Sequence, residues 1–140
     1  MSETTINGRC LCGAVGITGA VETHAHACHC GTCRRWSGGP ALSSRAVDVS
    51  FSGEEHIKTY ASSDWAERGF CSECGTNLFY RMRDGSMTIV WLGTVDDTSA
   101  FSLGGEIYVD KKPEFYALAG NHARQTAAEF EASLGGGGED

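Results

Sequence analysis

The chain has 140 residues, 41% of them apolar, which is enough for the core of one domain of the usual size of about 100 to 150 residues. Its formal charge of -7, from 11 Lys+Arg against 18 Asp+Glu and with no basic run longer than two residues, argues against a nucleic-acid partner. No segment approaches the ~18 uninterrupted apolar residues of a membrane helix, and the first eight residues have neither the positive start nor the apolar run of a signal peptide, so the expected location is the reducing cytoplasm.

Taken in chain order, β-prone runs between turn residues predict strands at Ala14–Thr18, Ala46–Phe51, His56–Ala61, Asn77–Met82, Met87–Leu92 and Glu106–Val109. Asp84-Gly85 supplies the positive φ angles of a tight turn between the fourth and fifth runs, which predicts a hairpin. Residues 93–105 read as loop. Ala123, Ala127, Phe130 and Leu134 recur at helical spacing and predict one C-terminal helix, capped by Asn121 and ended by Gly135. The expected architecture is a single mainly β domain over residues 1–134 with antiparallel sheets, followed by a disordered Gly-rich tail at 135–140.

Seven cysteines in a reducing compartment do not make a disulfide framework, and an odd number cannot all pair. They fall into three clusters, Cys10-Leu11-Cys12-Gly13, Cys28-His29-Cys30-Gly31-Thr32-Cys33 and Cys71-Ser72-Glu73-Cys74-Gly75. A Cys-x-x-Cys-Gly turn directs two thiolates into one small space, and an extended Cys-x-Cys places both thiols on one side. Zinc takes four thiolates at about 2.3 Å when structural, and three protein ligands with an open position when catalytic. Cys28, Cys30 and Cys33 can embrace an ion from one loop, whereas each outer pair needs the other. The spacing therefore pairs Cys10 and Cys12 with Cys71 and Cys74 in a closed structural site and leaves the middle trio with an open position. Joining the trio to one outer cysteine is the other division, and a Cys28–Cys33 disulfide is an alternative for oxidised, metal-free protein.

An ion held by three thiolates carries little net charge, so it is a poor activator of water and a fair holder of an exchangeable thiolate. Arg34 and Arg35 follow the trio, where they can stabilise its thiolates or receive a ligand carboxylate. Trp36 is expected near the trio by adjacency. His29, between two ligands, is expected to point away from them in a structural or surface role. His24 and His26 read as a solvated strand edge, His56 and His122 have no partner visible in sequence, Asp64-x-x-Glu67 is a weak capping-box signal, and Asp96 and Asp97 read as turn residues.

Gly8-Arg9-Cys10-Leu11-Cys12-Gly13-Ala14-Val15, Cys28-His29-Cys30-Gly31-Thr32-Cys33-Arg34 with Ser37-Gly38, Phe70-Cys71-Ser72-Glu73-Cys74-Gly75-Thr76-Asn77-Leu78 and Gly93-Thr94-Val95-Asp96-Asp97 resemble, in order, the glutathione-dependent formaldehyde-activating enzyme (centromere protein V) family. The resemblance implies an Mss4-like (β-tent) fold and a carbon–sulfur lyase with two zinc ions per chain. Carried over by position, Cys10, Cys12, Cys71 and Cys74 would hold the structural zinc, and Cys28, Cys30 and Cys33 the catalytic zinc with Arg34 beside it. The partners implied are a small thiol such as glutathione and an aldehyde such as formaldehyde. The competing reading is a non-catalytic zinc-stabilised binding module on the same scaffold, since fold does not fix function.

Overall fold

In a computed structural model that describes residues 2–134, the chain forms ten strands and two short α-helices: β1 (Glu3–Arg9), β2 (Gly16–Glu22), β3 (His24–Cys28), α1 (Gly31–Ser37), β4 (Ala41–Ser52), β5 (Ile57–Ala61), β6 (Ala66–Cys71), β7 (Asn77–Met82), β8 (Thr88–Trp91), β9 (Ser102–Ile107), β10 (Ala123–Gln125) and α2 (Ala127–Ser133). The strands run in the order β10-β9-β3-β4-β8-β7-β6-β5. The hairpin β1–β2 joins through β2, which pairs with the second half of β4. The twelve residues of β4 thus serve two neighbourhoods: Ala41–Arg45 lies between β3 and β8, and Ala46–Ser52 lies against β2.

The mainly β architecture is as expected, with two corrections to its detail. The sheet is mixed rather than antiparallel, because β9 runs parallel to both β3 and β10. Parallel pairing requires crossover connections, and the long segments that precede β9 and β10 provide them. There are also two helices rather than one. Helix α1 has only seven residues, and its sequence GTCRRWS carries no apolar stripe that would announce it. The C-terminal helix starts five residues later than the Asn121 cap predicts, since Ala123–Gln125 is drawn into the sheet against Gly105–Ile107. Its N-cap is Thr126 rather than Asn121, in a capping box with Glu129, and Leu134 is its C-cap. The expected cap Gly135 and tail 135–140 lie outside the described residues.

Other boundaries shift for local reasons. The segment 93–105 is not all loop, because β9 begins at Ser102. That strand ends at Ile107 instead of Val109, since Tyr108 takes a left-handed conformation at φ 58. A bulky residue there is unusual, and packing holds it: Tyr108 is 1% exposed, its ring meets Phe130 of α2 edge-on, and its hydroxyl donates to Glu131 Oε2 at 3.1 Å. Asp64-x-x-Glu67 is no capping box. Glu67 sits in β6 and accepts from Arg81 Nη2 on β7 at 2.6 Å. Asp97 does serve a turn, accepting from the Ser99 N–H at 3.0 Å.

Two apolar clusters follow from this layout. Ile6, Val15, Ile17, Val21, Leu78, Phe79, Val90 and Val95 bury together with Cys10 and Cys71. Ala41, Trp91 and Tyr108 bury together with Cys30 and Cys33, and Trp36, Tyr80, Ile107 and Phe130 pack around them. Across the first cluster Gly69 of β6 faces Phe79 of β7, whose ring lies 2.3 Å from where a Cβ would stand. Phe79 is 1% exposed and has nowhere to retreat. Gly69→Ala is therefore expected to destabilise the fold by about 1–3 kcal/mol, read as a lower denaturant midpoint with an unchanged slope.

Candidate metal centres and the network behind them

The Sγ atoms of Cys10, Cys12, Cys71 and Cys74 lie within 4.8 Å of one another, and those of Cys28, Cys30 and Cys33 form a second group of the same tightness. All seven cysteines are free thiols.

Two turns build the first group. After β1 the chain reverses through Gly13 at φ 84, where the Gly13 N–H donates to Cys10 O at 3.2 Å and the Cys10 N–H to Val15 O at 3.0 Å. After β6 it reverses again through Gly75 at φ 81, with the Gly75 N–H on Cys71 O at 2.8 Å. The Leu11 N–H donates to Thr76 Oγ1 at 3.0 Å and clips the two turns together. Backbone donors also face the sulfurs: Val15 N–H reaches Cys10 Sγ at 3.3 Å, and Glu73 N–H reaches Cys71 Sγ at 3.4 Å. These bonds favour the thiolate. Burial would raise Cys10, but the Val15 N–H and the Cys12 and Cys71 thiols hold it below the usual thiol value. Hydrogen bonds from the Thr76 hydroxyl and N–H draw Cys74 down to about 5. Cys12, despite the Ala14 N–H, is pushed up to about 12 by desolvation and by the other three thiols. Four thiols so close cannot all ionise on their own, and a divalent cation removes that conflict. The donor set fits zinc.

The second group begins where β3 ends. Cys28 is its last residue, Cys30 is the N-cap of α1, and Cys33 lies in the first turn. The Cys33 N–H donates to Cys30 Sγ at 3.3 Å. Hydrogen bonds from Cys28 and Cys33 draw Cys30 down to about 2, while those same contacts drive Cys28 far above the usual range. Ionisation of Cys30 thus opposes that of its neighbours, a conflict that a soft cation would relieve.

The cation that reaches this group was missed in the sequence. Arg68 Nη2 of β6 lies 3.6 Å from Cys33 Sγ, and the guanidinium sits 5.4 Å from the Tyr80 ring and 5.8 Å from the Trp91 ring. It is 1% exposed. Arg34, by contrast, turns its Nε to the His29 carbonyl at 3.1 Å, and Arg35 Nη1 folds back on the Gly31 carbonyl at 3.5 Å. Trp36 packs against the Cys30 and Cys33 cluster, where adjacency placed it.

His29 is fully buried and fixed at both ring nitrogens, Nε2 to Glu106 Oε1 at 2.7 Å and Nδ1 to the Tyr116 hydroxyl at 2.8 Å. The other oxygen of Glu106 meets His122 Nε2 at 2.5 Å and Arg124 Nε at 3.0 Å. His122, without a visible partner in sequence, therefore has one. His24 and His26 also depart from expectation. Their strand lies between β9 and β4, not at an edge, and burial followed by the nearby His24 lowers His26.

A family model for the glutathione-dependent formaldehyde-activating enzyme matches residues 5–111. A curated Schizosaccharomyces pombe protein named as an uncharacterized lyase is 33% identical over 132 residues, spanning 91% of this chain and 95% of its own. A crystal structure of a Rhodobacter sphaeroides protein superposes with a TM-score of 0.53 at 29% identity, covering 65% of this chain and 88% of that one. The chain belongs to the glutathione-dependent formaldehyde-activating enzyme family.

Proposed function

We propose that this chain is a zinc-dependent carbon–sulfur lyase that forms or cleaves adducts of a small thiol, such as glutathione, with an aldehyde such as formaldehyde. Family membership and the lyase-named relative support a lyase-type function. The observation that carries the finer reading is the second, incomplete thiol group: a purely structural zinc needs four ligands, and Cys28, Cys30 and Cys33 offer three. When bound there, zinc would supply an exchangeable position for a thiolate or a carbonyl oxygen.

The protein's own residues prepare that position. Cys28, Cys30 and Cys33 would hold the ion, and Cys10, Cys12, Cys71 and Cys74 would hold a second, structural one. Arg68 and the Cys33 N–H blunt the charge on the sulfurs. Trp91, Tyr80 and Trp36 shield the buried side from water, which strengthens those interactions. Arg34 acts as a positioning residue through its bond to the His29 carbonyl between two ligands. In adduct formation the thiol sulfur bonds to the carbonyl carbon, the carbonyl π pair moves to oxygen, and the thiol's proton ends on that oxygen. Cleavage is the reverse.

The test is metal analysis followed by formaldehyde consumption with glutathione. Two zinc ions per chain, one of which responds to thiol, and loss of consumption in Cys30→Ser are the expected results. A single inert zinc, or equal consumption by the two proteins, overturns the reading in favour of a zinc-stabilised binding module. No helix among the described residues is long and apolar enough to cross a membrane.

A further inference from the structure

Cys28, Cys30 and Cys33 come from one short stretch of chain, whereas the four-thiol group joins two turns that are clipped to each other. A loop that offers all its ligands from one segment takes its geometry from whatever fixes that segment from outside. The outside support converges on His29, between Cys28 and Cys30. Its N–H donates to Ile107 O at 3.1 Å, and its carbonyl accepts from Arg34 Nε at 3.1 Å. Its ring is fully buried and bonded at both nitrogens, to Glu106 and to Tyr116. Every polar group of the residue is therefore engaged.

The two ring partners are themselves tied down. Glu106 belongs to β9, and its second oxygen meets His122 and Arg124. Tyr116 belongs to the segment 112–120, which has no strand or helix of its own. Lys112 Nζ gathers that segment by donating to Pro113 O at 2.9 Å and to Tyr116 O, and it stands 5.0 Å from the Tyr116 ring. Arg124 Nη2 holds its far end, at Leu118 O (2.9 Å) and Gly120 O (3.0 Å), so one guanidinium fixes both this segment and Glu106. The Glu106 carboxylate can only accept, so His29 Nε2 carries a hydrogen, and in the neutral ring Nδ1 accepts from the Tyr116 hydroxyl. Removing that hydroxyl frees one end of the ring and leaves the bulk of Tyr116 in place.

We propose that Tyr116 and Glu106 are positioning residues for the three-thiol centre: acting through the His29 ring, they set how the Cys28 and Cys30 sulfurs face an ion. The segment 112–120 thereby has a task, to deliver one hydroxyl to the loop that carries the sulfurs. The inference rests on the reading that the trio holds zinc.

Competition of the zinc-loaded full chain against a chromogenic chelator tests this. The zinc that Cys30→Ser lacks reports the trio, and the other zinc is an internal reference. In Tyr116→Phe the trio's zinc should be held about tenfold or more weaker, the usual scale for a lost partner behind a metal site, with the reference zinc unchanged. Glu106→Gln, which weakens the other end of the ring's support, should act in the same direction. With cobalt in place of zinc, Tyr116→Phe should alter only the absorption bands that Cys30→Ser lacks. A substitution that merely loosened the fold would weaken both metals alike; that result, or an unchanged trio zinc in Tyr116→Phe, overturns the proposal. A single zinc in the unmodified chain overturns the metal reading of the trio and this proposal with it.

Discussion

Cys74→Ser should be recovered as insoluble or zinc-poor protein, while Cys30→Ser should stay folded and lose about one zinc equivalent. The contrast follows from what each proposed site holds together. Cys10 and Cys71 are fully buried members of the main apolar cluster, and their two turns join the first strand to the sixth and seventh. Apparent zinc binding worth about 10 to 16 kcal/mol in small peptides compares with a net stability of ~5 to 15 kcal/mol for a whole domain. Losing one of four ligands there leaves mutually repelling thiols clipped by little more than the Leu11–Thr76 bond. The three-thiol loop has other supports. The His29 N–H donates to Ile107 O at 3.1 Å, its ring is held at both nitrogens, and Asn77 Nδ2 and Trp91 Nε1 anchor the end of α1 through Trp36 O and Ser37 Oγ. Metal content and thermal unfolding of the two variants check this. Equal folding with equal zinc loss in both would remove the assignment of roles.

Glu106→Ala should cost about 3–5 kcal/mol, the usual consequence of removing one partner from a buried ionic network. Glu106 is 2% exposed, and its loss would strand His29 and His122 in the interior without an acceptor. Glu106→Gln keeps the shape and one acceptor, and should cost less. The carboxyl also gives the effect a pH signature. Burial alone would raise it, but bonds from His122 and His29 and the charge of Arg124 hold it below the ordinary 4.5. A carboxylate held down in the fold contributes stability that is fully present above the unfolded-state value and is lost as pH falls through the folded-state value. The stability gap between the unmodified chain and Glu106→Gln should therefore be constant near neutrality and narrow on acidification below about 4.5. Denaturant unfolding at a series of pH values measures it, and a gap that widens in acid would contradict the assigned ionisation.

What could be read from the chain was what is encoded locally. Cysteine spacing groups the thiols as the folded chain does, because a Gly-ended turn and an extended Cys-x-Cys are short-range structures. Strand β7 matches the expected Asn77–Met82, and its turn through Gly85 at φ 81 is the one Asp84-Gly85 announces. The parts that could not be read depend on distant segments. Residues Ala123–Gln125 have helical spacing, and only pairing with β9 makes them a strand. His29 and Glu106 are 77 positions apart, and Arg68 and Cys33 are 35 apart, so no periodicity relates them. The one available hint for His29 was its phase: a residue between two cysteines that share one side of an extended chain must face the other way, and something must meet it there.

The parallel placement of β9 against β3 also orders events during synthesis. Every residue of the four-thiol group has left the ribosome once Cys74 has, so that centre and the β1–β2 and β6–β7 pairs around it can close early. The three-thiol loop is made sooner, yet its backing of Ile107, Glu106, Tyr116, His122 and Arg124 comes from the last third of the chain. Long-range parallel pairing is slow to form. A nascent chain arrested before β9 would thus carry a closed four-thiol group beside an unbraced three-thiol loop, and the newborn protein would complete the first group before the second.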